Sequence, residues 1–189
     1  MPNICTGLLP VILVIMAVGS LSPVLAQVSP YAGQETREIK ALSAEEVDDL
    51  LNARGMALAK AAELNGYPGP LHSLEMADKL GLSLDQLRVI KDIKARLEAE
   101  ALPLGAEIVA IERELDQAFI NRTIDPLKLN TLTGKLGEFQ GRLRAIHLAA
   151  HLKTTFIFNA QQIARYNELR GYSGSATTPG HNPSLLHIR

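Results

Sequence analysis

From Leu84 to Ile120 the chain reads LDQLRVIKDIKARLEAEALPLGAEIVAIERELDQAFI. Apolar side chains fall at Leu87, Ile90, Ile93, Leu97, Leu104, Ile108, Ile111, Leu115 and Phe119, with one missing beat at Ala101. Steps of three and four put them on one stripe of a single long helix. At the α-helical rise this helix is about 55 Å long, more than the width of a small domain. Pro103 removes one rung of the hydrogen-bond ladder and predicts a kink over Ala99 to Pro103.

Outward from this rod, Asn121-Arg122-Thr123-Ile124-Asp125-Pro126 reads as a turn, with Asp125 as N-cap and Pro126 at the first helical position. A second long helix follows, carrying Leu129, Leu132, Leu136, Phe139, Leu143, Ile146 and Ala150. So short a turn makes the two rods antiparallel neighbours, and residues whose numbers sum to about 246 face each other. A last helix is predicted from about Asn159 to Arg170, ending at Gly171. Upstream, Ser43-Ala44-Glu45-Glu46 is a capping box opening a helix that runs to about Leu64. The run Asn65 to Pro70 stops that helix, and a helical turn from His72 to Leu80 ends at Gly81. The expected fold is all-α, a four-helix antiparallel hairpin with two long helices. The companions are too short to cover both rods, so either a homodimer forms or a stripe stays open as a binding surface.

The ends read differently. Leu8 to Val18 is an uncharged apolar run, followed by Val24-Leu25-Ala26 with small residues at the signal-peptidase positions. Residues 1–26 are read as a secretory signal, with an uncleaved anchor from about Leu8 to Leu25 as the alternative. Residues 27–42 read as a flexible leader, 43–171 as the helical domain and 172–189 as a disordered tail rich in Ser, Thr, Gly and Pro. The only cysteine, Cys5, lies before the apolar run, so a mature chain would have no disulfide. Nineteen basic side chains balance twenty acidic ones, which leaves no electrostatic case for a nucleic-acid partner. Tryptophan is absent and aromatics make up 4%, a composition suited to aliphatic helix packing. No Gly-rich phosphate loop, HExxH or mature cysteine nucleophile is present, so an enzyme is not expected.

Two helix starts share a pattern. Leu82-Ser83-Leu84-Asp85-Gln86 opens the first rod, and Phe158-Asn159-Ala160-Gln161-Gln162 opens the last helix. In each, a cap residue (Ser83, Asn159) precedes a glutamine (Gln86, Gln162) by three, and an apolar residue (Leu82, Phe158) stands before the cap as a staple. Flanking a long hairpin behind a signal-like segment, they resemble the LTxxQ repeats of the Spy/CpxP family, which includes heavy-metal sensors and resistance proteins of the CnrX and ZraP type. The resemblance spans roughly Gly69 to Tyr172. Ser and Asn stand in place of the two threonines, and Phe158 in place of the second leucine. It implies a periplasmic hairpin that dimerises into a curved cradle. In the chaperone branch the concave face binds unfolded or misfolded envelope proteins without ATP. In the adaptor branch the protein contacts a membrane-bound sensor, and in the sensor branch a metal site controls contact with a membrane-bound regulator. The chaperone branch tends to a basic concave face, for which Arg88, Lys91, Lys94, Arg96, Arg142 and Arg144 are the candidates here, although charged helix faces are commonly just solvated. Export would leave the protein soluble in the periplasm if cleaved after Ala26, and anchored in the inner membrane if not.

His147 and His151 lie four apart on the second rod, the spacing at which two imidazoles share a metal ion. The turn register brings Glu98 and Glu100 near His147, and Glu63, His72 and Glu75 approach if the short helices fold back. A divalent Zn, Cu, Ni or Co ion is the cofactor such a set would take. Half-buried imidazoles that bind no metal are the competing reading. His181 and His187 fall in the tail.

Overall fold

The computed structural model describes residues 28–172. The signal-like run and the tail beyond Tyr172 lie outside the described residues. The chain divides at Gly33. In the described part of the first unit, Ala32 N–H donates to the Ser29 carbonyl at 3.0 Å and Tyr31 N–H to Ser29 Oγ at 3.2 Å, a turn closed by its own serine.

The second unit is all-helical among its described residues: α1 (Ala44–Leu51), α2 (Lys60–Glu63), α3 (Pro70–Glu75), α4 (Leu84–Ile120), α5 (Pro126–Ile157) and α6 (Ala160–Leu169). The two rods are as expected. Asp125 Oδ1 accepts from Lys128 N–H at 2.7 Å, and Pro126 starts α5 without an amide to satisfy. Arg122 takes a left-handed backbone (φ 54°), which completes the reversal. Near the tip Lys128 Nζ lies 3.2 Å from Glu114, and far from it Ile93 and Leu97 border the same groove as Ile146 and Ala149. Antiparallel rods in the register set by the turn produce both juxtapositions.

Helix α4 is one unbroken helix through Pro103. Pro103 and Ala99 are both exposed, so the Ala99 carbonyl deprived of its partner faces solvent. Ala101, the missing beat, is fully buried (0% exposed), whereas Phe119 is 55% exposed and Ala118 takes its place in the core.

Three expectations are corrected. The helix from Ser43 does not reach Leu64: it ends at Asn52, and Ala53, Met56 and Ala57 all have positive φ before α2 begins. Ala53 and Leu58 pack into the core around Leu50. The four-helix layout is accordingly six α-helices. From Gln34 on, the segment read as a flexible leader is held down. Ile39 is buried beside Leu50, Ile108 and Ile111, Glu38 pairs with Arg113 at 3.0 Å, and Lys40 pairs with Asp116 at 3.4 Å. One isoleucine of the right size anchors a stretch that has no periodicity to announce it.

The core falls in two clusters. One joins the leader, α1, the middle of α4 and α5 through Ile39, Leu50, Leu104, Ile108, Leu136 and Leu143. The other, around Leu80, Ile90, Phe158 and Tyr166, closes the end where α4 begins and α5 stops.

Candidate binding site

The two capping boxes meet. Ser83 Oγ accepts from Gln86 N–H at 3.2 Å and Asn159 Oδ1 from Gln162 N–H at 2.8 Å, as their spacing predicts. Each glutamine returns to its cap amide, Gln86 Oε1 to Ser83 N–H at 3.0 Å and Gln162 Oε1 to Asn159 N–H at 3.1 Å. Each then bonds the other: Gln86 Nε2 donates to Gln162 Oε1 at 2.9 Å, and Gln162 Nε2 to Gln86 Oε1 at 3.1 Å. The remaining amide hydrogens go to the carbonyls of Ile157 (3.0 Å) and Gly81 (3.4 Å). Two donors and two acceptors per side chain are all used. Only a primary amide meets that demand, and this is the physical reason for glutamine here and glutamate (Glu46) in the solvent-facing box of α1. Leu82 and Phe158 pack in the cluster beneath.

A Gln86→Glu chain should therefore lose about 2 kcal/mol at neutral pH, because two donor bonds vanish and a carboxylate faces the Gln162 oxygen. Glu46→Gln, at the exposed box, should cost under about 0.5 kcal/mol. Urea melts of the two variants test this, and equal losses would break the account of the paired amides.

A second polar centre ties the short elements to α5 and α6. The Glu63 carboxylate accepts from Tyr166 OH at 2.9 Å, Arg170 Nε at 2.9 Å and Tyr172 OH at 3.2 Å. Tyr166 OH accepts in turn from Gly69 N–H at 3.2 Å. Burial first, and then the Glu63 charge, push the Tyr166 hydroxyl well above its ordinary ionisation range. Burial pulls the Arg170 guanidinium down, but the Glu63 hydrogen bond and charge outweigh it and hold the guanidinium above its usual value. Tyr172, assigned from sequence to the loose tail, belongs to this centre.

The two histidines have different surroundings. His151 Nδ1 donates to the Tyr67 carbonyl at 2.7 Å and lies 3.7 Å from Glu63. Its ring rests on Gly69, where an added Cβ would sit 2.7 Å from Nε2. His147 is buried, and its Nε2 has no hydrogen-bond partner among the described residues. Of the other sequence candidates, Glu98 pairs with Lys94, Glu100 borders the α4–α5 groove, and His72 bonds Glu75 at 2.9 Å. Glu63 alone approaches the pair, through His151. Among the described residues no three His, Cys, Asp or Glu side chains gather as a metal site would require.

Burial, and then the neighbouring His151, lower the His147 pKa from its ordinary 6.5. The folded state thus prefers neutral imidazole. The unfolded chain binds the extra proton first as pH falls, so this contribution is complete above about 6.5 and is lost as pH drops toward the depressed folded value. Stability should fall between pH 7.5 and 5.5, and less so in His147→Leu. Parallel pH profiles for the two proteins would remove His147 as the cause.

The basic candidates are largely paired within their own helices: Arg88 with Asp85 at 3.3 Å, Arg96 with Asp92 at 2.9 Å and Lys94 with Glu98. Arg142 lies 3.7 Å from Glu138 and over the Phe139 ring. Four of the six basic candidates thus stand beside a carboxylate of their own helix. Arg96 alone of them lines a shallow groove between α4 and α5, together with Ile93, Leu97, Ile146 and Ala149 as its apolar lining and Glu100 and Lys153 as its charged lining.

The chain matches no protein-family model, curated protein or solved structure in the comparisons. None of the described helices is long and apolar enough to cross a membrane. Sequence reasoning found both boxes and both histidines. It missed the contact between Gln86 and Gln162 and the role of Tyr166 and Arg170 around Glu63, for which only the run of polar residues along α6 was a signal.

Proposed function

We propose that this protein is a periplasmic, ATP-independent binding protein of the Spy/CpxP kind. It holds unfolded or misfolded envelope proteins, or a membrane-bound stress sensor, against the groove side of its hairpin. One observation supports this reading above the others. The two glutamine boxes lock α4 to the start of α6 through reciprocal bonds at 2.9 and 3.1 Å, and so close one end of a long two-helix surface. The leader and the short helices meet the hairpin at Arg113, Asp116, Gly105 and His151, away from the groove. The groove mixes apolar floor and charged rim, the chemistry that holds partly unfolded chains loosely without selecting one sequence.

Purified protein should suppress aggregation of a heat-unfolding client at near-stoichiometric dose with no nucleotide present. Ala149→Glu, which puts a charge on the groove floor, should weaken the effect. No suppression at large molar excess would remove the chaperone role. The metal-sensor reading draws less from the geometry, because His151 bonds Tyr67 and rests on Gly69, and of the acidic candidates only Glu63 comes near, with its carboxylate already shared by Tyr166 and Arg170. Titration with zinc, copper, nickel or cobalt, and loss of the site in the His147→Ala, His151→Ala double variant, is the result that would restore it.

A further inference from the structure

The hairpin turns through Phe119-Ile120-Asn121-Arg122-Thr123-Ile124-Asp125-Pro126-Leu127-Lys128-Leu129. Leu127 is 77% exposed, and Phe119, Ile120 and Leu129 lie open with it. These side chains do not share one face. At about 100° per residue, Ile120 stands roughly 160° round α4 from the buried Ala118, and Leu127 about 140° round α5 from the buried Leu132. The apolar groups therefore ring the end of the hairpin.

Backbone and charge supply two further observations. The amides of Asn121, Arg122 and Thr123 donate to the carbonyls of Gln117, Phe119 and Ala118 at 2.9, 3.1 and 2.9 Å. Asp125 Oδ1 takes the Lys128 amide, and Pro126 has no N–H to satisfy. A turn that keeps its donors paired needs little water, which is the condition for entering a medium poor in hydrogen-bonding partners. The acids nearest the turn are engaged: Glu114 by Lys128, Asp116 by Lys40 and Asp125 by the α5 cap. Arg122, at the apex, is an exposed cation with no ion pair among the described residues.

We propose that this tip dips into the interface of an anionic lipid surface, with the apolar ring among the upper acyl chains and Arg122 on the headgroup phosphates. Shape and charge select that occupant. A hairpin end two helices wide is convex, and a protein partner would need a cleft that closes round every side of it. A lipid interface admits it without one, and its phosphates meet the unpaired guanidinium. Insertion by about 5–10 Å immerses Leu127 and Ile120 while the rest of both rods stays in water, so no spanning helix is required. The leader agrees. Glu38 and Lys40 join α4 at Arg113 and Asp116, about two turns and one turn from its end. The chain that carries the apolar run Leu8 to Val18 thus enters the helical unit near the tip. The contact does not rest on client binding, because the groove at Ile146 and Ala149 lies about 30 Å away along α5.

The full chain carrying Cys5→Ser and Leu127→Cys, labelled with a polarity-sensitive fluorophore, tests this. On mixed phosphatidylglycerol–phosphatidylcholine vesicles its emission should shift to the blue and be quenched by tail-brominated lipid. The same label at Lys153→Cys, about 39 Å along α5, should do neither. Pure phosphatidylcholine vesicles, or Arg122→Gln, should each raise the lipid concentration for half-maximal quenching about fivefold. A tip label indifferent to vesicles, equal quenching at both positions, or no response to Arg122→Gln would each overturn the proposal. So would shielding of the tip label from iodide before any vesicle is added, the sign of a protein segment already covering it.

Discussion

Gly105→Ala is expected to destabilise the fold by about 3 kcal/mol, at the upper end of what overpacking costs. A Cβ at this position would stand 2.0 Å from the Leu50 carbonyl oxygen and 2.8 Å from the Leu50 carbonyl carbon. Those are backbone atoms at the end of α1, so no rotamer change relieves the clash. Helix α1 must shift as a body, and with it the buried contacts of Leu50 with Leu104 and Ile108. The better helix propensity of alanine offsets only about 1 kcal/mol. Urea unfolding gives the total, and amide exchange should show α1 protection falling further than that of α4. An unchanged midpoint would mean that α1 does not approach α4 so closely.

Glu63→Ala should cost about 3 kcal/mol, for a different reason. The carboxylate is only 13% exposed and is the shared acceptor for Tyr166, Arg170 and Tyr172. Removing it leaves a guanidinium and a fully buried tyrosine hydroxyl without their acceptor, and that unpaired burial is the larger part of the loss. Glu63→Gln keeps an acceptor oxygen but loses the charge, and should lose roughly half as much. Thermal melts rank the pair. If alanine and glutamine prove equally mild, the centre contributes little and α6 is held by its apolar contacts alone.

The candidate residues were legible to different depths. Ser83, Asn159 and the glutamines after them could be read because a capping box is closed by residues three apart, whatever the rest of the chain does. His147 and His151 could be placed on one helix face for the same reason, but nothing local says what stands before that face. The Tyr67 carbonyl, Gly69 and Glu63 do so for His151.

The residues alone determined the two rods, the turn at 121–126 and the starts of α1, α4, α5 and α6. A 3.6-residue apolar period and a cap hydrogen bond are short-range properties, complete within a few residues of chain. Tertiary contact decided the break after Asn52, the anchoring of Ile39, the capture of Tyr172 and the joining of Gln86 to Gln162. Each depends on what an element distant in sequence presents at that point, and side-chain volume and amide geometry can choose among partners only once the rods have brought them together.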